Sequence, residues 1–336
     1  MDKKIIIDSI IVHILDNSLG TLVLSDHLHN SNNEINEFIE KHLEKSIDDS
    51  NIKVACFNQE ENKINQLCKM LFEDNEKFAF ISKEMADILY KIMLQNPDIP
   101  SADIAFVLLD LEGIKHLAIL KFNYRDSYIH YVENSELGNI NSIIKQKTAL
   151  PNENQKIDEF VYINLSSFKI RLLEKKYEID GEKEFYLSKL FLRCTSDISG
   201  KEKIKVLEKT ANNIITKYYG EQEIEKRINF KNIINEDLED LRKIDVERVA
   251  NEVFGNVPEI KENYIQEVQK KGVTEKEIFV EHKSEKPIYK KQKILTDTGI
   301  EINLPLEELK NKDKIEFINN QDGTISILLK NIRDIR

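Results

Sequence analysis

Apolar and polar positions follow two periods along this chain, and the switches between them mark its elements. Residues 5–15 and 21–24 read as strands, with Asn17-Ser18-Leu19-Gly20 as the turn between them. Ile35, Phe38, Ile39 and Leu43 recur at helical spacing behind Ser31-Asn32-Asn33-Glu34, which has the form of a capping box. A short strand or extended link at 53–57 precedes two more helical stripes. One carries Ile64, Leu67, Cys68, Leu71 and Phe72. The other carries Met85, Ile88, Leu89 and Ile92, entered at Ser82 and stopped by Asn96-Pro97. Residues 104–109 and 114–122 flank Glu112-Gly113 as a hairpin, and 128–132, 160–165 and 168–173 are further strands. Short polar turns join them without crossover helices, so the predicted sheet is antiparallel.

The stretch 185–219 changes period partway. Phe185, Leu187, Leu190 and Leu192 predict a strand over 185–194 that carries Lys189 and Arg193. A turn at Thr195-Ser196-Asp197 follows, and Ser199 with Glu202 is spaced as a second capping box. Ile204, Leu207, Ala211, Ile214, Ile215 and Tyr218 then form one helical stripe. Residues 221–272 are charged and helical, punctuated by Gly255, Pro258 and Gly272, and a strand is expected at 277–280. The tail alternates at 293–295, 300–302, 315–318 and 324–329, with turns at Thr298-Gly299 and 320–323.

The pattern predicts an α+β fold. A mixed N-terminal domain with an antiparallel sheet occupies 1–195, a helical region 196–285, and a small C-terminal β-meander 286–336. With 336 residues, 40% hydrophobic and 32% charged, the chain has the composition of a folded, helix-rich protein. No apolar run approaches the roughly 18 residues that span a bilayer, and the three apolar residues 5–7 are too short for a signal peptide. Cys56, Cys68 and Cys194 are unpaired in spacing and predict reduced core thiols of a cytoplasmic protein.

The net charge of −11 argues against a generally basic nucleic-acid binder, but it is uneven. Residues 1–180 carry −10 and residues 181–336 carry −1, while 181–220 alone has a basic excess of three. Lys201, Lys205 and Lys209 are each four residues apart, and each such step turns about 40° around a helix, so all three share a face. A helix start adds its own attraction for anions. Lys189, Arg193, Lys201, Lys203, Lys205 and Lys209 are therefore candidate phosphate contacts. Lys290, Lys291 and Lys293 form a second set with Lys283 and Lys286 around Tyr289, suggesting a cation-plus-aromatic surface. The bland readings are a core helix with a solvated lysine face and an exposed linker.

Other chemistry has little to stand on. Asp26, His27 and His29 lack a partner set with recognised metal-ligand spacing, so no metal and no cofactor is expected. Asp110 and Glu112 share a strand face, as a metal-dependent nuclease would require, but fit hairpin-turn chemistry better. No phosphate-cradling glycine loop, nucleophile elbow or His-Glu-x-x-His run is present, and no catalytic residue is assigned. A thin apolar seam in the charged helices of 235–270 suggests a dimerising scaffold as the alternative.

The runs 296–302 (TDTGIEI), 314–320 (KIEFINN) and 322–327 (DGTISI) resemble the C-terminal end of bacterial 37-kilodalton nucleoid-associated proteins. Ile11-Val12-His13-Ile14-Leu15 and the stretch 185–219 are similar to the same family, in the same order. The resemblance implies a non-enzymatic protein of the cytoplasm and nucleoid that binds double-stranded DNA. Lysines would engage its backbone phosphates and give little sequence specificity. A dimeric scaffold or adaptor, a homodimer that reaches the nucleoid or a defence complex through protein partners, is the alternative, and no membrane association is expected.

Overall fold

The runs at 104–109 and 117–120 present no polar face, so strands built from them must be covered on both sides. A computed structural model describes residues 4–29, 33–47, 49–58, 62–135, 138–220, 223–280, 287–311 and 313–334. The fold is α+β, and the chain divides into two units, Met1–Asp197 and Ile198–Arg336. The Ser31 cap and the lysines at 283 and 286 lie outside the described residues.

The first unit opens with β1 (Ile5–Asp16), β2 (Thr21–Val23), α1 (Asn33–Ile47), β3 (Lys53–Phe57), α2 (Lys63–Glu73) and α3 (Phe78–Gln95). It continues with β4 (Ala102–Leu111), β5 (Ile114–Asn123), β6 (Arg125–Ser135), β7 (Gly138–Ala149), β8 (Glu159–Asn164) and β9 (Lys169–Leu173). A small hairpin, β10 (Lys176–Ile179) with β11 (Glu182–Phe185), and β12 (Cys194–Ser196) complete it. Eight strands form one antiparallel sheet in the order β12-β3-β9-β8-β5-β4-β1-β2. Phe106, Leu108, Ile119 and Ile163 pack on one face with Leu71, Met85 and Leu89 of α2 and α3. Ala105, Val107, Leu120 and Phe160 pack on the other with Ile39 and Leu43 of α1. The β4–β5 turn uses Glu112 and Gly113 at φ 55° and 85°, the positive values a two-residue hairpin requires. Asp110 Oδ1 accepts from the Gly113 N–H at 2.7 Å, so this acid closes the turn.

Two expectations fail locally. The strand over 185–194 is broken: β11 ends at Phe185, and Leu187–Phe191 makes a π-helical turn. That turn buries Leu187, Phe191 and Leu192 together and aims the Ser188 N–H at the buried Glu174 carboxylate, 2.9 Å away. Nor are the cysteines uniformly core residues. Cys68 is buried and its thiol pushed up to about 12, but β3 alternates Lys53 and Ala55 inward with Val54 and Cys56 outward, so Cys56 is exposed.

The sheet buries an ion pair. Lys121 Nζ lies 2.9 Å from Glu159 Oε2, with side chains 3% and 0% exposed. Lys121 also donates to Asn123 Oδ1 at 2.6 Å, and the Tyr177 hydroxyl donates to Glu159 at 3.0 Å. Burial lowers the pKa of the Lys121 ammonium, and the Glu159 charge opposes that shift. His13 of β1 is buried too. Its Nδ1 accepts from the Ser25 N–H at 3.0 Å, which leaves Nε2–H to face Ser82 Oγ at 3.0 Å. Burial, reinforced by Lys83, lowers its pKa from 6.5 to about 4.

The second unit contains α4 (Gly200–Tyr219), α5 (Ile224–Asp240), β13 (Lys243–Asp245), α6 (Val246–Phe254), α7 (Pro258–Lys270) and β14 (Glu277–Phe279). Its tail forms two separate hairpins, β15 (Lys291–Leu295) with β16 (Glu301–Pro305) and β17 (Ile315–Asn319) with β18 (Ile325–Leu329). The seam of 235–270 is spent internally: Val249, Val253, Phe254, Tyr264 and Val268 share a core with Ile204, Leu207 and Ile215 of α4.

Lys121→Met strands the Glu159 carboxylate in the sheet and is expected to cost about 3–5 kcal/mol, whereas Lys121→Met with Glu159→Leu recovers most of it. Chemical denaturation reads both values. The neutral His13 contributes stability that is complete above pH 6.5 and is lost as pH falls through about 4. The melting temperature should therefore drop across that window, and drop less in His13→Gln.

Candidate nucleic-acid interface

The second unit builds its candidate surface on α4. Ser199 and Glu202 form the capping box: Ser199 Oγ accepts from the Glu202 N–H at 3.2 Å, and Glu202 Oε2 accepts from the Ser199 N–H at 3.0 Å. The cap sets where the helix begins and hence which way each later residue points. It also seats the Glu202 carboxylate at the helix N-terminus, so that end is occupied by the chain's own anion and is not open to a phosphate.

With Ile204, Leu207, Ala211, Ile214 and Ile215 buried, Lys201, Lys205 and Lys209 face outward in one row. The row rises about 12 Å along the helix axis. None of the three makes an ion pair among the described residues. Lys203 does not belong to this row. It lies roughly 120° or more from it around the helix, and its Nζ is held 2.6 Å from Glu275 Oε1.

Arg227 of α5 continues the row. Its guanidinium donates to Asn212 Oδ1 at 2.6 Å and to Thr216 Oγ1 at 2.8 Å, two α4 residues on the lysine side of the helix. In the sequence Arg227 is one cation among many in a charged helix. Only the crossing of α5 over α4 assigns it to this face.

The second lysine set is fastened to the same helix. The Tyr289 hydroxyl donates to Glu208 Oε2 of α4 at 2.9 Å, and the Tyr289 backbone exchanges two hydrogen bonds with the Asn235 side chain of α5, at 2.8 and 3.1 Å. Lys231 lies over the Tyr289 ring, 5.4 Å from its centroid. Burial and the Glu208 charge push the Tyr289 hydroxyl well above the usual phenol range. Both its ring and its hydroxyl are thus engaged inside the unit, and the ring is not a free platform for a base. The adjoining Lys290 and Lys291 are exposed and form no ion pair among the described residues, whereas Lys293 is paired with Glu301 at 2.6 Å.

Lys189 and Arg193 belong to the first unit. Lys189 lies in the π-helical turn and is bonded to Glu184. Arg193 is exposed at φ 46°, and its carbonyl accepts from Asn62 Nδ2 at 3.1 Å. Of the net −11, −10 falls on residues 1–197 and −1 on residues 198–336, so the two units differ sharply in their attraction for an anion.

Asp26, near His27 and His29, is engaged with Lys83 at 2.9 Å. Among the described residues no three His, Cys, Asp or Glu side chains converge as metal ligands. No helix of the described residues is long and apolar enough to cross a membrane.

A family model described as nucleoid-associated protein YejK matches residues 11–336. No curated protein matches the chain. The family match spans both units, the α4 row and the tail hairpins.

Ser199→Ala removes the cap that orients α4 and should weaken its first turn by about 1 kcal/mol. Faster hydrogen exchange at the amides of that turn, with the sheet of the first unit unchanged, is the expected result.

Proposed function

The chain belongs to the family of nucleoid-associated protein YejK, and from that premise we propose that its second unit binds double-stranded DNA through backbone phosphates. The observation that supports this most is the row Lys201, Lys205 and Lys209, outward-facing and free of ion pairs among the described residues. A lysine held by a carboxylate has already exchanged its water for a partner. An unpaired one releases condensed counterions from DNA when it meets a phosphate. A row about 12 Å long passes roughly three phosphates of one strand along the duplex axis.

In this reading Arg227 extends the row, and Lys290 and Lys291 add to it where Tyr289 ties the tail to α4. Lys203 and Lys293 are spent on Glu275 and Glu301, and Lys189 on Glu184. Arg193 stands in the acidic first unit and is a minor contributor. The lysines meet phosphate, so affinity is modest and indifferent to sequence. The protein is non-enzymatic and works in the cytoplasm, on the nucleoid.

Lys201→Glu with Lys205→Glu should reduce affinity for a duplex by about tenfold or more, and each phosphate left without its lysine should flatten the salt dependence by about 0.9. Lys169→Glu with Lys183→Glu changes the net charge equally in the first unit and should leave affinity nearly unchanged. Equal losses in the two double variants would reduce the effect to net charge and remove the α4 row from the account.

A further inference from the structure

The ribbon β6–β7 stands apart from the sheet it leaves. Among the described residues its strands pair only with each other, from Arg125↔Ala149 to Ser135↔Gly138, and form a sheet of their own. Yet it carries large apolar side chains in the open. Tyr128 and Ile143 are 71% and 77% exposed, and Ile129, Tyr131, Ile140 and Ile144 are between 41% and 58% exposed. Register places Ile129 opposite Ile144 on one face and Tyr128 and Ile143 on the other. A two-stranded ribbon is marginal in water by itself, and a contiguous apolar surface of this kind marks an interaction site.

We propose that this ribbon is a self-association arm, packed against the same ribbon of a second copy of the chain. Charge selects that occupant. Residues 125–149 hold three basic and three acidic side chains and sum to zero, within a unit that carries −10. Lys145 Nζ and Asp126 Oδ2 are paired inside the ribbon at 2.5 Å. A phosphate backbone or a charged peptide finds no complementary field there, whereas two neutral ribbons meet without the repulsion that the rest of the unit would impose. A two-fold interface needs a patch complementary to itself, and an apolar, neutral ribbon satisfies that. Size fits as well. Ile129, Tyr131, Ile140 and Ile144 share one face. Four side chains of about 200 Å² each, roughly half exposed, offer on the order of 400 Å² of apolar surface per copy, close to the apolar share, somewhat over half, of the ~800 Å² per partner in a stable interface. The arm lies in the first unit and does not depend on the DNA-binding reading of the second.

Sedimentation of the full chain from nanomolar to tens of micromolar tests this. The wild type should move from monomer to dimer across that range. Ile129→Asp with Ile143→Asp, one change on each face of the ribbon, should stay monomeric while keeping the circular dichroism and melting temperature of the wild type. Ribbon amides should also gain hydrogen-exchange protection with concentration in the wild type alone. A wild type that remains monomeric at every concentration overturns the proposal, including one whose ribbon instead binds neutral phosphatidylcholine vesicles. A double variant that dimerises as well as the wild type also overturns it, because self-association would then use another surface.

Discussion

One buried stripe on α4 governs the second unit. Ile204, Leu207, Ala211, Ile214 and Ile215 must face Val249, Phe254 and Tyr264 for that unit to have a core. Once they do, helical geometry leaves no freedom in where the lysines go. Positions 201, 205 and 209 are forced outward together, and position 203 is forced toward Glu275. The capping box fixes the phase of this arrangement at its first residue. The basic row is therefore a by-product of burial as much as of charge. It also explains why lysines so close in sequence have different roles: the core sorts them.

Total charge misleads for the same reason. A protein at −11 looks unsuited to DNA, but its acidity lies almost wholly in the first unit. That unit spends much of its polar chemistry inward, on Lys121 with Glu159 and on Lys53 with Glu174. The near-neutral second unit offers an anion a local field that the whole-chain sum conceals. Screening confines each field to about 10 Å at ordinary salt, so a local row can attract DNA without help from the rest of the molecule.

Features set by neighbouring residues were legible in the sequence. The Ser199–Glu202 cap, the Glu112-Gly113 hairpin and the apolar stripes of α2, α3 and α4 were all of this kind. What failed depends on distant partners. Phe185 to Leu192 alternates well enough for a strand, yet Glu174 draws the Ser188 amide and turns the segment into a π-helical loop. Lys203 resembles its neighbours until Glu275 comes up beside it. Tyr289 looks like a stacking residue until Glu208 takes its hydroxyl. Polar residues interrupt the three isoleucines of β7 without a regular alternation, and only its pairing with β6 declares it a strand.

The central claim is that cations on the second unit hold DNA by its phosphates. Fluorescence anisotropy of a labelled duplex against the full chain, repeated across a salt series, addresses it most directly. Six cations, Lys201, Lys205, Lys209, Arg227, Lys290 and Lys291, predict that log affinity falls linearly with log salt at a slope of magnitude about 3–5. An absence of binding at low salt, or an affinity that salt leaves unchanged, would contradict it.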